Sequence, residues 1–348
     1  MLIGVVGDVH WCTYASIIRS RGEEFSTKLE NSIKSVNFVE DRLSGCDIVV
    51  YAGDFFDRAD ITAEELSALR KIKWNDNDHF FLVGNHEASG NSLYYTTANA
   101  LSGDGRYIIW EQCCNLTLED FQLHFIPYLT EDKRDEISTY LDKDLDENGN
   151  YLKQIVISHN DLKVKYGKYN SKSGFDISDI EENCDLFING HIHNFSKITD
   201  KVINIGNLSG NGFGEDAEKY PHNIAIIDTE DMSIEFVENP YAFNFYKCDF
   251  TETGVEGFDN FDFKDNAVVS IVCKDSCATE MGKRIQDNRK IVESRLIIKR
   301  DTLNAETHEE ELQCKDHLKM FGDYVKETYG VSDIEEEELL GVTGGYSA

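Results

Sequence analysis

The chain has 348 residues, 41% of them apolar, and 34 basic against 65 acidic side chains give it a formal net charge of −31. That length suffices for two domains with buried cores, and no stretch approaches the roughly 18 consecutive apolar residues of a membrane span, so the expectation is a cytoplasmic protein with no membrane partner. The acidic balance weighs against a free-standing nucleic-acid binder, because neutralising phosphates takes a basic surface. Such a chain either leaves nucleic acid alone or borrows that surface from a partner.

In chain order, Leu2–Gly7, Ile48–Tyr51, Phe80–Val83, Gln154–Ser158 and Leu186–Ile188 read as short, fully buried strands. Ser26–Leu43 sets Leu29, Ile33, Val36 and Val39 at helical spacing, and Ala63–Ile72 is a second, shorter helix. This alternation predicts a layered α/β domain. From residue 115 the rhythm changes: Asn115–Leu118 and Phe121–Ile126 read as a hairpin, and Val202–Ile205, Asn223–Asp228 and Ser233–Val237 as strands without helices between them. The first domain closes near residue 240. Residues 251–266, rich in Gly and acid, read as a linker or loop. A strand (Ala267–Cys273), a helix (Thr279–Ile291) and a strand (Ser294–Lys299) follow as a small α/β unit spanning 241–300. Residues 301–348 hold a last amphipathic helix, Glu309–Tyr329, with Leu318, Phe321 and Val325 on one face, and an acidic tail. The nine cysteines make no paired C-x-x-C set of the zinc-site kind, and they read as reduced, structural thiols.

Five segments, each just after a predicted buried strand, carry the chemistry: Gly7–His10, Gly53–Asp57, Gly84–Glu87, Ser158–Asn160 and Gly190–His193. Strand ends are where α/β proteins place ligands. These turns supply carboxylates, a carboxamide and imidazoles in numbers beyond what one ion needs, without thiolates. The set suits two divalent ions sharing a bridging carboxylate, an arrangement that clamps a phosphate and activates water for in-line attack. His79, His124 and His222 adjoin strands outside these turns and read as structural, and His308 and His317 as solvated.

The order D-x-H, G-D-x-x-D, G-N-H-[D/E], H, G-H-x-H resembles the calcineurin-like metallophosphoesterase superfamily over residues 1 to about 210. The resemblance implies a β-sandwich of two sheets flanked by helices, with a small C-terminal α/β cap and a terminal helix beyond it. It implies two divalent ions, with Mn²⁺ the frequent metal and Mg²⁺ the alternative. Asp8, His10 and His193 would hold one ion, and Asn85, His159 and His191 the other, with Asp54 bridging. His86 would serve the leaving oxygen, oriented by Asp57, with Glu87 as a further carboxylate behind the ligands.

Within the superfamily, Gly53–Asp57, the run Phe125–Leu129, and the Asn204–Ser209 strand end followed by Gly214–Asp216 resemble the SbcD-like repair and recombination nucleases, most of all the recombination-endonuclease subunits of tailed phages. That resemblance implies a Mn²⁺-dependent 3′→5′ exonuclease and single-strand endonuclease for DNA. It would work with an SbcC-like, SMC-type ATPase, as a homodimer within a heterotetramer, in the host cytoplasm if phage-encoded. Gly84–Glu87 and Gly53–Arg58 are also similar to the Ser/Thr protein phosphatases. Those enzymes, however, carry D-x-H-G and V-D-R-G and lack G-H-x-H, whereas Trp11 follows His10 here and Phe56 and Ala59 flank Asp57-Arg58. A stand-alone phosphodiesterase for small nucleotides or nucleic-acid ends is the alternative reading.

Overall fold

The computed structural model of the chain describes residues 1–300 apart from 90–91, 111–113, 119, 132–133, 167–168 and 171–172. The expected final helix, Glu309–Tyr329, and the acidic tail lie outside the described residues.

Two six-stranded sheets face each other. In the first, the spatial order is Ser233–Glu238, Asn223–Asp228, Leu2–Val6, Ile48–Tyr51, Asp78–Leu82 and Arg106–Ile109. The four strands from Leu2–Val6 onward run parallel. The second runs Ser196–Lys197, Val202–Asn204, Leu186–Asn189, Lys153–Ser158, Phe121–Ile126 and Cys114–Thr117, parallel through its four inner strands. Cys114–Thr117 and Phe121–Ile126 pair antiparallel, as the hairpin reading of that stretch expects.

Strand alternation divides the side chains between layers. Ile3 and Val5 point between the sheets, where they join Val50, Leu82, Leu123, Phe125, Ile155, Ile157 and Ile188 in a dry sandwich core. Val6, Val49, Tyr51 and Phe81 point outward, under Leu29, Val36, Val39 and Leu43 of the helix Thr27–Arg42. That helix starts where Ser26 caps it, its side chain accepting from Leu29 N at 3.3 Å. The helix Ala63–Leu69 opens on a capping box of Thr62 and Glu65. On the outer face of the second sheet, Val156, Phe187 and Val202 pack with Phe175 and with Ile180 of the helix Ile177–Asn183. The architecture is therefore mixed α/β, with sheets flanked by helices.

Residues 1–299 form one compact unit, and within it residues 244–299 make their own parallel three-stranded sheet of Asn244–Asp249, Ala267–Lys274 and Ile291–Lys299. Here the structure corrects the sequence reading three times. Asn244–Asp249 is a strand, although Lys247 and Asp249 break its apolar run. The segment expected to be a linker holds the helix Gly254–Asp259, and Phe258 and Phe263 are buried in a cluster with Phe250 and Tyr246. Aromatic rings outweigh the surrounding acid and glycine, because each buries a large apolar area. The next helix spans Asp275–Asp287, leaving the strand directly at Lys274, and ends early enough for Ile291 to pair with Ala267.

Candidate metal centre

The parallel strands of both sheets end on one rim, and the five polar turns leave from it. Leaving a strand so abruptly forces unusual backbone: His10 has φ 48°, Asp54 φ 46° and His191 φ 71°. Left-handed conformations at residues with a Cβ cost about 1–3 kcal/mol each and gather at functional sites. Two glycines give the side chains room. Gly53 has φ 99°, and a Cβ there would strike the His159 ring; a Cβ at Gly84 would strike the Asp54 carboxylate.

Three groups of ligand atoms result, each within 4.8 Å of one another: Asp8, His10 and His193; His10, Asp54 and His86; Asp54, His159 and His191. Asp54 belongs to the second and third, and His10 links the second to the first. In the first group His10 Nε2 and His193 Nε2 are 2.9 Å apart, and each lies 3.9 Å from Asp8 Oδ2. Asp8 is fully buried. Its Oδ1 accepts from His191 N at 3.0 Å, but Oδ2 has no hydrogen-bond partner. A buried carboxylate oxygen left bare between two imidazole nitrogens fits a divalent cation, with ligand bonds of about 2.0–2.2 Å.

In the third group His159 Nε2 lies 3.1 Å from Asp54 Oδ2 and 3.3 Å from Asn85 Oδ1, while His191 Nδ1 lies 3.0 Å from the same Asn85 oxygen. The carboxamide and both imidazoles thus aim at one point, with Asp54 on its other side. The donor set is oxygen and nitrogen throughout, which suits a hard or borderline divalent ion.

What stands behind each imidazole decides which nitrogen faces inward. His159 Nδ1 donates to the Ala52 carbonyl at 2.7 Å. His193 Nδ1 donates to Glu215 Oε1 at 2.9 Å, and His191 Nε2 to Asp161 Oδ1 at 3.1 Å, an oxygen pair that also meets Arg134 at 3.3 Å. Sequence reasoning gave neither Asp161 nor Glu215 a role. Asp161 leaves its trace as the acid directly after His159-Asn160, and Glu215 as part of Gly214–Asp216, the acidic loop that figures in the nuclease resemblance without a role of its own.

One expected contact differs. Asp57 does not turn its carboxylate to His86. Its Oδ1 lies 3.1 Å from His10 Nδ1, off the hydrogen-bonding direction of that ring nitrogen, and His86 Nδ1 donates instead to the Asp57 main-chain carbonyl at 2.8 Å. The carboxylate is drawn to the buried ring, and the carbonyl is left facing the exposed one. Glu87 is fully buried and accepts from Gly84 N and Phe56 N, both at 2.9 Å. It ties two of the ligand-bearing turns together from behind through their main-chain amides.

The charges are strongly coupled. Burial alone would raise the Asp54 carboxyl, but His159, His10 and His86 outweigh it and hold it well below the usual carboxylate range. Burial opposes the charged form of His159, yet Asp54 and Asp8 raise its pKa to about 9. Burial likewise works against Glu215, and the His193 hydrogen bond brings it down to about 2. Glu87, with burial and Asp54 both acting against its charge, rises to about 8. His79, His124 and His222 hold no place at the rim: Glu40 satisfies His79, Asn115 with Gln154 satisfies His124, and His222 Nδ1 donates to the Asn207 carbonyl while its buried Nε2 has no partner.

Residues 1–195, more than half of the chain, match the sequence profile of the calcineurin-like phosphoesterases. The chain belongs to that family. Calcineurin-like phosphoesterases are metal-dependent hydrolases, which accords with the ligand groups on the rim. A stretch of 66 residues is 38% identical to the serine/threonine-protein phosphatase 2B catalytic subunit A2 of Saccharomyces cerevisiae. It spans 19% of this chain and only 11% of that protein. The crystal structure of TT1561 of Thermus thermophilus superposes with a TM-score of 0.37 at 10% identity, covering 68% of this chain and 98% of that one. Among the described residues no helix is long and apolar enough to cross a membrane.

Proposed function

We propose that this calcineurin-like phosphoesterase is a Mn²⁺-dependent DNA nuclease, a 3′→5′ exonuclease and single-strand endonuclease that works as the nuclease subunit beside an SMC-like ATPase. The observation that carries the reading is the convergence of two ligand groups on Asp54, with His86 exposed at their edge. Asp8, His10 and His193 would hold one ion, Asn85, His159 and His191 the second, with Asp54 shared. Divalent ions bound there supply the Lewis acidity that activates a phosphodiester and a water nucleophile.

The chain's own residues do the rest. His86 Nδ1 faces a carbonyl, which can only accept, so that nitrogen keeps its proton. Nε2 is the atom left to deliver a proton to the departing oxygen. Its exposure suits a long substrate laid across the rim rather than one enclosed by it. The resemblance of the Gly53–Asp57 and Asn204–Ser209 turns to SbcD-like nucleases favours DNA over a phosphoprotein, and so does Gly190–His193, which protein phosphatases lack. Arg58 is also committed elsewhere, clasped by Glu65 at 2.6 Å and by Asp60 at 3.1 Å.

The net charge of −31 favours a second reading, a stand-alone phosphodiesterase acting on small nucleotides or nucleic-acid ends. One assay separates the two. The purified chain with Mn²⁺ should degrade 5′-labelled DNA from its 3′ end, and an SMC-like ATPase supplying basic surface should stimulate that degradation. Hydrolysis confined to mononucleotide diesters, with DNA untouched in either condition, would discard the nuclease reading.

A further inference from the structure

The two ligand groups are backed unequally. Behind the Asp8 group, Glu215 accepts from His193 Nδ1 and Asp57 lies against His10 Nδ1. With Asp8 itself, that makes three carboxylates on this side. The nearby ammonium of Lys28 is fully buried and spends its hydrogen bonds on Ser209 Oγ at 2.9 Å and the Gly210 carbonyl at 3.3 Å. This side therefore sets three carboxylates against one ammonium, an excess of carboxylate.

The other group has none of its own. Asn85 is neutral, His159 leans on a main-chain carbonyl, and the Asp161 carboxylate behind His191 is cancelled by Arg134, a side chain only 3% exposed. Asp54 is common to both sides. A carboxylate behind a ligating imidazole makes it a stronger donor, and removing such a partner typically weakens metal affinity 10–100-fold. The bare oxygen, Asp8 Oδ2, also belongs to the first group.

We propose that the two metal positions fill in a fixed order, the ion at Asp8, His10 and His193 binding first and more tightly because Glu215, with Asp57, backs its imidazoles. Glu215 is then a positioning residue for this ion, acting through His193. The proposal rests on the two-ion reading of the site and adds the order and its cause.

The test is calorimetric titration of chelator-stripped full chain with Mn²⁺ alone. Two binding events should appear, their constants at least about tenfold apart. Glu215→Gln should weaken the tighter event about 10–100-fold and leave the weaker within about threefold, which also shows that the rim has kept its fold. Asp161→Asn should fall on the weaker event, by less because Arg134 already offsets that carboxylate, and leave the tighter within about threefold. Should Glu215→Gln fail to fold, Asp57→Asn, whose carboxylate is 32% exposed, must weaken the tighter event, though by less. Two ions bound with one constant, or a Glu215→Gln effect falling on the weaker event, overturns the proposal while leaving the two-ion site standing. A total of one ion or none overturns both.

Discussion

At the rim, non-glycine residues hold left-handed backbone, an aspartate oxygen is buried without a partner, and several imidazoles and carboxylates crowd within ligand distance. The sheet of residues 244–299 is put together in the opposite way. Its central strand, Ala267–Lys274, is nearly all buried, its helix presents Met281 and Ile285 inward, and five aromatic rings, from Tyr246 to Phe263, meet edge to face or tilted. One region spends stability to hold charges together, and the other gathers apolar area. Function and strain should therefore be lost by substitutions at the rim, and stability by substitutions in the C-terminal sheet, with little crossing between them.

The largest expected effect is at Asp54. Asp54→Asn removes the shared charge between the two ligand groups, and Mn²⁺-dependent hydrolysis of bis-(p-nitrophenyl) phosphate should fall below detection while the far-ultraviolet spectrum stays unchanged. Near-normal turnover in this variant would refute a shared carboxylate. His86→Ala comes next. With the seven assigned ligands untouched, it should bind as many ions as the parent by elemental analysis and slow cleavage roughly 10²–10⁴-fold. A lost ion would make His86 a ligand.

Phe263→Ala tests the other side of the comparison. Phe263 is 1% exposed, against Tyr246, Phe258 and Phe261, and emptying such a site costs about 3–5 kcal/mol. Denaturant unfolding should record that loss, with Mn²⁺ binding at the rim retained at low temperature. Loss of metal binding in the folded variant would mean that the two regions are not energetically separable.

The same contrast explains what the sequence made legible. The five turns could be read because a buried strand, a sharp exit and a ligand side chain are adjacent in the chain, as in Val6–His10 or Ile188–His193. A layered α/β domain followed from the alternation of strands and helices, and the two facing sheets from the family resemblance those turns carry. What escaped was set by pairing across long separations. Glu215 meets His193 from 22 residues away, and the Asp57 carboxylate picks His10, 47 positions back in the chain, over His86, 29 ahead. Asn244–Asp249 becomes a strand only because Ala267–Lys274 lies beside it. Phe258 and Phe263 looked like solvated loop because their neighbours are acid and glycine, and composition says nothing of which side chains turn inward.

The smallest expected effect is a pH dependence confined to the rim. In the ion-free protein His159 has its pKa raised from 6.5 to about 9 by Asp54 and Asp8, against burial. A folded pKa above the unfolded one gives stability that is complete below pH 6.5 and lost as pH climbs through 9. Glu87, raised by burial and by Asp54 from 4.5 to about 8, moves the same way over a lower window. Stripped protein should therefore lose stability between pH 6.5 and 9. An ion needs His159 without its Nε2 proton, so in the same interval metal competes with fewer protons and binds better. The gap in Tm between Mn²⁺-loaded and chelator-stripped protein should widen steadily from pH 6.5 to 9, and loading near pH 7.5 should release protons to the buffer. The C-terminal sheet has no titrating group of this kind in its core below pH 9, its buried Cys248 and Cys273 thiols both lying at about 11, so Phe263→Ala should lower both melting curves without changing the gap. A gap that stays flat or narrows with rising pH would mean that His159 does not exchange its proton for an ion.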